Sequence, residues 1–202
     1  RLRQQMTADV AHDLRSPLTV IGGYIESMRD GVLPPTPERL GLIYAEIERL
    51  QRLVEDLRTL SLADAGSLPL DPQPASPKAI LDRAAGLFQL RAQQQNLSLR
   101  VEADPDLPEV AVDETRIIQV MDNLLANALR YTPAGGEITL SARAEEGTVR
   151  FTVRDTGVGI PPEELGQIFE RFHRADPSRH TEMGESGLGL AIVKAIVEAH
   201  GG

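Results

Sequence analysis

The sequence contains no cysteine, and this absence restricts its chemistry. Without thiols the chain can form no disulfide bond and cannot use a cysteine nucleophile, and a structural zinc site is disfavoured. The chain also lacks a lysine and arginine cluster. Its net charge of -9 argues against nucleic acid as its main partner. No apolar run reaches the roughly 18 residues of a membrane span, and no signal-peptide pattern is present.

The 202 residues are 41% hydrophobic and 25% charged, a composition typical of a folded rather than a disordered chain. This length is enough for one large domain or two small ones. Because the sequence begins at Arg1 rather than Met, we expect a fragment whose membrane anchor, if any, lies outside it.

Apolar residues recur at steps of three and four over residues 2–32 and again, as a cleaner heptad, over residues 40–57. The proline-rich segment 33–37 separates them, so residues 1–66 are predicted to form a helical hairpin. Two helices with such wide apolar faces cannot bury them alone. Pairing of two hairpins into a dimeric four-helix bundle is the favoured solution, and packing on the chain's own second domain is the alternative.

Residues 67–77 contain four prolines and are predicted to be a linker, with one short strand at most. Beyond it, helices are predicted at 76–95, 113–130 and 187–200, with Ser76 and Asp113 as the N-caps of the first two. Strands are predicted at 97–102, 137–143 and 148–154. The Pro161-Pro162 pair is expected to start a short helix. This mixture predicts an α/β sandwich with helices on one face of a mostly antiparallel sheet.

A histidine in the first helical stretch has neighbours that suit phosphoryl transfer. His12 is followed directly by Asp13, and Pro17 lies five residues after it. Proline removes the helical hydrogen bond to the Asp13 carbonyl, so a kink is expected there. A carboxylate beside an imidazole can hold one ring N–H and leave the other nitrogen nucleophilic, as attack on a γ-phosphate requires. A lone helical histidine is more often an ordinary surface or core residue.

A second polar group lies on the predicted helix 113–130. Asn123, Asn127 and Arg130 are spaced by four and three residues and therefore share one face. Amide oxygens suit Mg²⁺, Arg130 can meet phosphate charge, and Tyr131 can border a base. By themselves, two asparagines on a helix more often face solvent or cap it.

Two glycine motifs follow. In Asp155-Thr-Gly157-Val-Gly159, at the end of a predicted strand, the carboxylate can accept the adenine amino proton and the glycines allow the backbone to approach the base. Gly187-Leu188-Gly189 opens the last predicted helix, whose N-terminal N–H groups favour phosphate. Each motif alone is also compatible with a plain turn.

In combination these motifs resemble the cytoplasmic core of the sensor histidine kinases of two-component systems, and the resemblance covers essentially the whole chain. The motifs that carry it are an H-box at 11–18, an N-box at 123–132, a G1 box at 155–160, an F-box at 169–174 and a G2 box at 184–190. The resemblance implies a dimeric helical hairpin (1–66), a linker (67–77) and an α/β sandwich ATP-binding domain of the gyrase and histidine-kinase type (78–202), without its C-terminal strands.

The resemblance implies that His12 is the phosphoacceptor and that Asp13 assists it as base or orienter. The implied activity is autophosphorylation by Mg-ATP, followed by transfer of the phosphoryl group to an aspartate of a response regulator. The implied partners are a second copy of the chain and that regulator. The implied location is the cytoplasmic portion of a sensor that segments outside this chain anchor in the inner membrane.

For the second domain, the resemblance implies ATP and Mg²⁺ as cofactors. The metal contact maps onto Asn127, and Asn123 also lines the nucleotide site. Adenine recognition maps onto Asp155, and contact with the γ-phosphate onto Arg174. Residues 173–186 correspond to the loop that covers ATP in the family.

Three features depart from the family pattern. Glu185 follows Gly184 where a glycine-rich start is usual, and its charge is expected to weaken triphosphate binding unless it points outward. Ser16 stands where Thr or Asn usually supports dephosphorylation of the regulator, so we expect weak phosphatase activity. The motif 200–202 leads into further strands in relatives, and their absence is expected to expose a sheet edge, reducing stability or ATP affinity.

Two other functions stay open at this point. An ATP-hydrolysing clamp of the gyrase or chaperone kind would need a glutamate where Asn123 lies, because asparagine cannot act as a general base, and it would have no H-box. A non-catalytic dimeric scaffold that binds nucleotide would require that His12 is never phosphorylated. Glu185 and the absent strands keep this second alternative open.

Overall fold

The structure, a computed structural model, describes residues 2–173 and 186–202. It begins with two long helices, α1 (Leu2–Arg29) and α2 (Pro37–Asp64), which pack together as the predicted hairpin. The proline-rich segment separates the two helices as expected. Thr36 caps the start of α2 by accepting from the Arg39 N–H at 3.5 Å, and Pro37 is the first residue of the helix. Helix α1 ends at Arg29, before Gly31 takes a φ of 73°.

Helix α1 continues through Pro17, whose side chain is fully buried. Proline has no N–H for the Asp13 carbonyl, and two residues later the Thr19 hydroxyl donates to the Arg15 carbonyl at 2.9 Å. Whether the helix axis bends beside His12 stays a prediction.

The rest of the chain is mixed α/β. Its elements are β1 (Gln73–Ala75), α3 (Pro77–Gln94), β2 (Ser98–Ala103), β3 (Val110–Val112), α4 (Glu114–Tyr131), β4 (Glu137–Glu145), β5 (Thr148–Asp155) and α5 (Gly189–Ala199). Strands β2, β4 and β5 form a sheet in that order, with β2 parallel and β5 antiparallel to β4. The predicted caps are confirmed: Ser76 accepts from the Ala79 N–H, and Asp113 accepts from the Arg116 N–H.

The core of this part lies between the sheet and helices α3 and α4. Strand β4 shows why, because its alternate residues Ile138, Leu140 and Ala142 are fully buried while the residues between them are not. They pack on apolar side chains of both helices, including Leu81 and Leu125. Helix α5 then packs along α4. The predicted α/β sandwich is confirmed.

The linker contributes a strand to the fold. Strand β1 pairs antiparallel with β3, with Gln73 opposite Val112 and Ala75 opposite Val110. The Asp71 N–H also donates to the Asp113 carboxylate at 3.2 Å. The second half of the linker is therefore held against the start of α4. Strand β3 has only three residues, too few for a periodic pattern to reveal it in the sequence.

The short helix expected from Pro161 is not present in the structure. Residues 162–169 instead form successive hydrogen-bonded turns, in which the Glu164 N–H donates to Pro161 and the Gln167 N–H donates to Glu164. The two prolines provide no N–H of their own, and Gly166 in the middle of the segment adds conformational entropy that a helix would have to remove. The prediction of a helix here was wrong.

The hairpin contacts the second domain through one apolar cluster. Leu53 and Leu60 of α2 are buried together with Val120 of α4 and Ile192 and Ile196 of α5. Leu14 and Leu57, both members of the predicted apolar stripe, pack against this cluster. Polar contacts border it: Arg171 pairs with Asp64 at 2.5 Å, and Arg116 donates to the buried Thr59 hydroxyl at 3.3 Å.

Other members of the predicted stripe remain exposed in the single chain. They include Leu18, Ile25, Leu40, Ile47 and Val54, at 39–57% exposure. Leu14 and Leu57 of the stripe thus pack on the second domain, as the alternative held, while these five exposed residues, called the upper stripe below, stay available for a partner.

Candidate phosphoacceptor and nucleotide site

The side chain of His12 projects into solvent with 79% of its surface exposed, whereas that of Asp13 is only 13% exposed. The His12 Nδ1 atom lies 3.4 Å from Asp13 Oδ1, at the long end of the hydrogen-bond range. A carboxylate cannot donate, so this contact favours the tautomer with the proton on Nδ1 and leaves the Nε2 lone pair open. Asp13 is the one polar partner of the ring within the described residues.

Ser16 lies on the exposed surface of α1, one turn after His12. The next residue, Pro17, is fully buried. The position is compatible with a polar group that acts on a molecule docked over His12.

Helix α4 presents the predicted polar face. Asn123, Asn127 and Arg130 are all partly exposed, while the buried residues Met121, Leu125 and Leu129 point into the core. The Arg130 guanidinium carbon lies 5.3 Å from the centre of the Tyr131 ring, a cation–π distance. The face therefore combines amide oxygens with a cation, as phosphate and Mg²⁺ require.

The N-terminus of α5 abuts this face. A Cβ atom added to Gly189 would lie 3.1 Å from the Asn123 side-chain oxygen, so the helix start and the asparagine are in close contact. Glycine leaves the first N–H groups of α5 open to a ligand beside Asn123.

Asp155, Gly157 and Tyr131 form a compact turn at the end of β5. The Gly157 N–H donates to Asp155 Oδ1 at 2.8 Å, and the Val158 N–H donates to the Tyr131 carbonyl at 3.2 Å. A Cβ atom on Gly157 would stand 2.5 Å from that carbonyl, so no larger residue fits without a backbone shift. The second carboxylate oxygen of Asp155 makes no hydrogen bond to a described residue and is available to a base.

Gly187 has a φ of 66°, and its carbonyl accepts from the Phe172 N–H at 3.0 Å. This bond joins the two ends of the segment that corresponds to the ATP-covering loop. Phe172 also has a positive φ of 61°, a conformation that no sequence pattern indicated. Leu188 is fully buried in the cluster between hairpin and α5, so it can reach a nucleotide only through its backbone.

Several predicted residues fall in the segment 174–185, which lies outside the described residues. They are Arg174, Gly184 and Glu185, and nothing further follows about their geometry. Gly159 is described, with an exposed backbone and a φ of 74°.

Thr156 shapes the site without having been predicted. Its hydroxyl accepts from the Glu137 N–H at 2.9 Å, which ties the end of β5 to the start of β4 beside Asp155. The sequence shows that a threonine inside the G1 motif can form a side-chain hydrogen bond. It does not show the partner, which lies 19 residues away.

Asp122, next to Asn123 in the sequence, does not belong to the nucleotide site. Asp122 precedes Asn123 but lines a different cavity, of about 800 Å³, together with Glu55, Asp71 and Arg116. Burial raises the pKa of Asp122, and Arg83 partly opposes this shift. None of the predicted nucleotide-site residues lines that cavity.

No group of three or more histidine or acidic side chains converges in the described part of the chain in a way that could hold a metal ion. None of the described helices is both long and apolar enough to cross a bilayer.

Comparison with known families divides the chain into the same two parts. Residues 2–66 match the His Kinase A (phospho-acceptor) domain family. Residues 112–202 match the family of histidine kinase-, DNA gyrase B- and HSP90-like ATPases.

Individual relatives extend the match. The signal transduction histidine-protein kinase BaeS of Escherichia coli (strain K12) is 41% identical over all of this chain and 43% of its own length. The Acinetobacter baumannii histidine kinase AdeS superimposes with a TM-score of 0.76 at 32% identity, covering 93% of this chain and 86% of that one. A histidine kinase ThkA, solved in complex with the response regulator protein TrrA, has a TM-score of 0.65 at 29% identity, over 84% of this chain and 50% of that one.

The chain spans less than half the length of the curated relatives it matches. Within that span, one family accounts for both halves of the chain. It also accounts for the H-box with its exposed histidine and for the helix and turn that carry the nucleotide motifs. The chain belongs to the sensor histidine kinases of two-component systems.

Proposed function

We propose that this chain is an ATP-dependent protein-histidine kinase core that phosphorylates itself on His12. The observation that carries the proposal is the pairing of the His12 Nδ1 with the Asp13 carboxylate, which leaves Nε2 exposed on a helix that packs beside an ATPase-like domain. A structural histidine needs neither the exposure nor the oriented carboxylate.

In the proposed reaction, the lone pair of Nε2 attacks the γ-phosphorus of ATP. A bond forms between Nε2 and phosphorus, and the bond from phosphorus to the bridging oxygen breaks, so that ADP leaves with the electron pair. The ring gains positive charge while its proton stays on Nδ1. Asp13 stabilises that charge and holds the ring orientation, much as a carboxylate supports a catalytic histidine in hydrolases.

The nucleotide is proposed to bind across α4, the turn after β5 and the start of α5. Asp155 would accept from the adenine amino group, with Gly157 and Gly159 permitting close approach. Asn123, Arg130 and the N-terminus from Gly187 to Gly189 would face the phosphates, together with Arg174.

Asn127 is the proposed ligand of Mg²⁺. The donor set fits this ion, because an amide oxygen beside bound phosphates leaves room for the waters that Mg²⁺ retains, and a carboxylate cage is not required. When bound, the ion would neutralise phosphate charge. Tyr131, stacked near Arg130, would border the base.

We also propose that two copies of residues 1–66 pair as a four-helix bundle and that a response regulator docks beside His12. The exposed upper stripe supports the dimer, and the complex of ThkA with a response regulator protein supports the second partner.

We further propose that this is the cytoplasmic portion of a sensor held at the inner membrane by segments outside the chain. Fractionation of cells that make the whole protein would test this location. Residues 67–77 act as the linker to the ATP-binding domain, 78–202.

The direct test is incubation with γ-labelled Mg-ATP. Label is expected on the chain, absent from His12→Gln, stable in alkali and lost in acid, as a phosphohistidine is. Arg15→Gln, an exposed change one turn later on the same helix, is the matched control and should keep its label. A chain that binds ATP yet takes no label would instead support the non-catalytic scaffold.

Ser16 is proposed to support weak dephosphorylation of the phosphorylated regulator. Ser16→Ala should slow the loss of regulator phosphate severalfold while self-phosphorylation continues at its normal rate. Unchanged dephosphorylation in that variant would remove Ser16 from the mechanism.

A further inference from the structure

The histidine near the end of the chain, His200, makes two specific ring hydrogen bonds. Its Nδ1 lies 2.8 Å from the Ile196 carbonyl oxygen, and its Nε2 lies 3.1 Å from the main-chain nitrogen of Asp113. A carbonyl only accepts and an amide N–H only donates. The ring must therefore carry its proton on Nδ1 and accept at Nε2.

The end of α5 is built to place this ring. Gly201 has a φ of 82°, and its N–H donates to the Glu198 carbonyl, while the Gly202 N–H donates to the Val197 carbonyl. This is the Schellman arrangement, which ends a helix and fixes the residue before the first glycine. His200 is that residue. The His-Gly-Gly motif therefore ends the helix and also orients the His200 ring.

Asp113, the donor of this bond, also makes two other contacts. Asp113 caps α4 through its Oδ1, receives the linker N–H of Asp71 through its Oδ2, and donates its own N–H to His200. The Asp113 N–H lies ahead of the helix and has no helical acceptor, so His200 supplies the partner that this donor needs.

The two helices are thus joined at both ends of their contact. At one end, Gly189 abuts Asn123, and at the other, His200 meets Asp113. Asp113 and Asn123 are ten residues apart, a rise of about 15 Å, and Gly189 and His200 are eleven residues apart, a rise of about 16.5 Å. The start of α5 meets the middle of α4 and the end of α5 meets the start of α4, so the helices run antiparallel over a contact of nearly equal length on each.

The apolar contacts between the helices do not fix this alignment by themselves. Val120, Ile192 and Ile196 bury apolar surface, but that attraction is non-directional and tolerates sliding. A hydrogen bond between one ring nitrogen and one backbone N–H is directional. We propose that His200 is a positioning residue that sets the axial register of α5 on α4 and so places the N-terminus of α5 against Asn123.

This inference rests on the proposed ATP site for its functional consequence. His200→Phe keeps the ring shape and removes the acceptor. We expect it to shift the Gly189 amide resonance and to weaken ATP binding roughly tenfold, because a partly buried donor loses its partner. His200→Gln places an amide oxygen near the Nε2 position, and we expect it to restore both the resonance and the affinity.

Glu198→Gln is the matched control. It removes an exposed partner of Lys194 on the same helix and should change neither readout. ¹⁵N signals of the His200 ring provide a measurement that needs neither substitution nor nucleotide, and they should show a protonated Nδ1 and a bare Nε2.

Three outcomes would overturn the inference: a ring protonated on Nε2, a folded His200→Phe with an unchanged Gly189 resonance, or a His200→Gln as impaired as His200→Phe. If the unmodified chain binds no ATP, the proposed function fails, and the ring tautomer and the Gly189 resonance still decide the role of His200. If His200→Phe does not fold, the ring signals and His200→Gln decide it.

Discussion

At the scale of single residues, His12 and Asp13 divide two requirements between them. The ring is exposed, as a nucleophile that must meet a second domain requires, while its carboxylate neighbour is largely buried. Burial limits the orientations that the carboxylate can adopt, so the ring nitrogen it faces is defined even though the ring itself is open to solvent.

Replacing Asp13 by Asn should slow phosphorylation of His12 by about tenfold to a thousandfold, because the amide can neither stabilise the charged ring nor enforce the Nδ1 tautomer. ATP affinity should stay unchanged, since Asp13 lies on the hairpin. Initial rates of labelling at saturating ATP measure the effect.

The control for that variant is Asp30→Asn, which removes an exposed carboxylate of the loop after α1 that pairs with Arg29. Its labelling rate should match that of the unmodified chain. Equal rates for both variants would show that Asp13 does not assist the ring.

Asp56 on α2 is a partly buried carboxyl group with a raised pKa. Burial raises the pKa of this carboxyl from its ordinary 3.8 to about 6, with Arg52 opposing and Glu55 reinforcing the shift. Between about pH 4 and pH 6 the unfolded chain has lost this proton while the folded chain retains it. The free energy of unfolding therefore falls as pH rises through that window and stays lower above it.

Asp56→Asn should remove this pH dependence and raise the free energy of unfolding at pH 7.5 by about 1–2 kcal/mol, a value discounted for the solvent that reaches the side chain. Denaturant unfolding at pH 3.5 and 7.5, at matched protein concentration, measures it. Glu48→Gln, an exposed change on the same helix, should have no such effect. An Asp56→Asn variant that is less stable at pH 7.5 would contradict the assignment.

At the scale of elements, the turn after β5 depends on having no side chain at Gly157. A Cβ atom there would approach the Tyr131 carbonyl oxygen to 2.5 Å and Asp155 Oδ1 to 2.6 Å. Gly157→Ala should therefore displace the Asp155 carboxylate, lower the free energy of unfolding by about 1–3 kcal/mol and weaken ATP binding at the proposed site. Calorimetry of unfolding and of ATP titration measures both.

Gly86→Ala provides the matched comparison, because an added Cβ atom at this position in α3 meets nothing within 4 Å. Alanine should stabilise that helix by about 0.5–1 kcal/mol and leave ATP binding as it was. A Gly157→Ala variant that behaves like Gly86→Ala would show that the turn is not a constrained part of the site.

Helix α2 shows that one element can serve two surfaces. Its residues Leu53 and Leu60 are buried against α5 and α4, while Leu40, Ile47 and Val54 remain exposed. The first set holds the ATP-binding domain to the hairpin, and the second is available to another chain. Asp64 pairs with Arg171 and the Thr59 hydroxyl accepts from Arg116 at the border of the first set, and these directional contacts restrict how the second domain lies on α2.

At the scale of the whole molecule, the exposed upper stripe predicts self-association. Ile47→Glu should turn the dimer into a monomer at micromolar concentration, because a charge in an apolar interface costs several kcal/mol when it has no partner. Light scattering after size-exclusion chromatography measures the mass.

The comparison variant is Leu90→Glu, which places the same charge on an exposed apolar position of α3, at 65% exposure and outside the stripe. It should remain dimeric. Dimers of equal affinity in both variants would place the contact elsewhere on the chain and contradict the bundle.

Much of the fold was predictable because its signals are local. Helix limits followed from periodicity, from caps such as Ser76 and Asp113, and from prolines that remove backbone donors. The chemistry of His12 and the polar face of α4 could likewise be identified, since spacing along a helix determines which residues share a face.

Other features depended on residues far apart in the chain, and no local pattern encodes them. Strand β3 exists because the linker pairs with it, and the segment after Pro161 remains turns because its prolines and Gly166 disfavour a helix that nothing else stabilises. Phe172 takes a positive φ where its N–H meets Gly187.

The sequence by itself determined the family, the two-part organisation and the candidate residues for phosphoryl transfer, because these depend on residue type and short spacing. Only the tertiary structure decided which part of the apolar stripe packs on the second domain, which nitrogen of His12 faces Asp13, and that His200 reaches the start of α4. Each of these is a contact between surfaces or atoms that several arrangements of the same elements could satisfy, and the relative placement of the packed elements selects one.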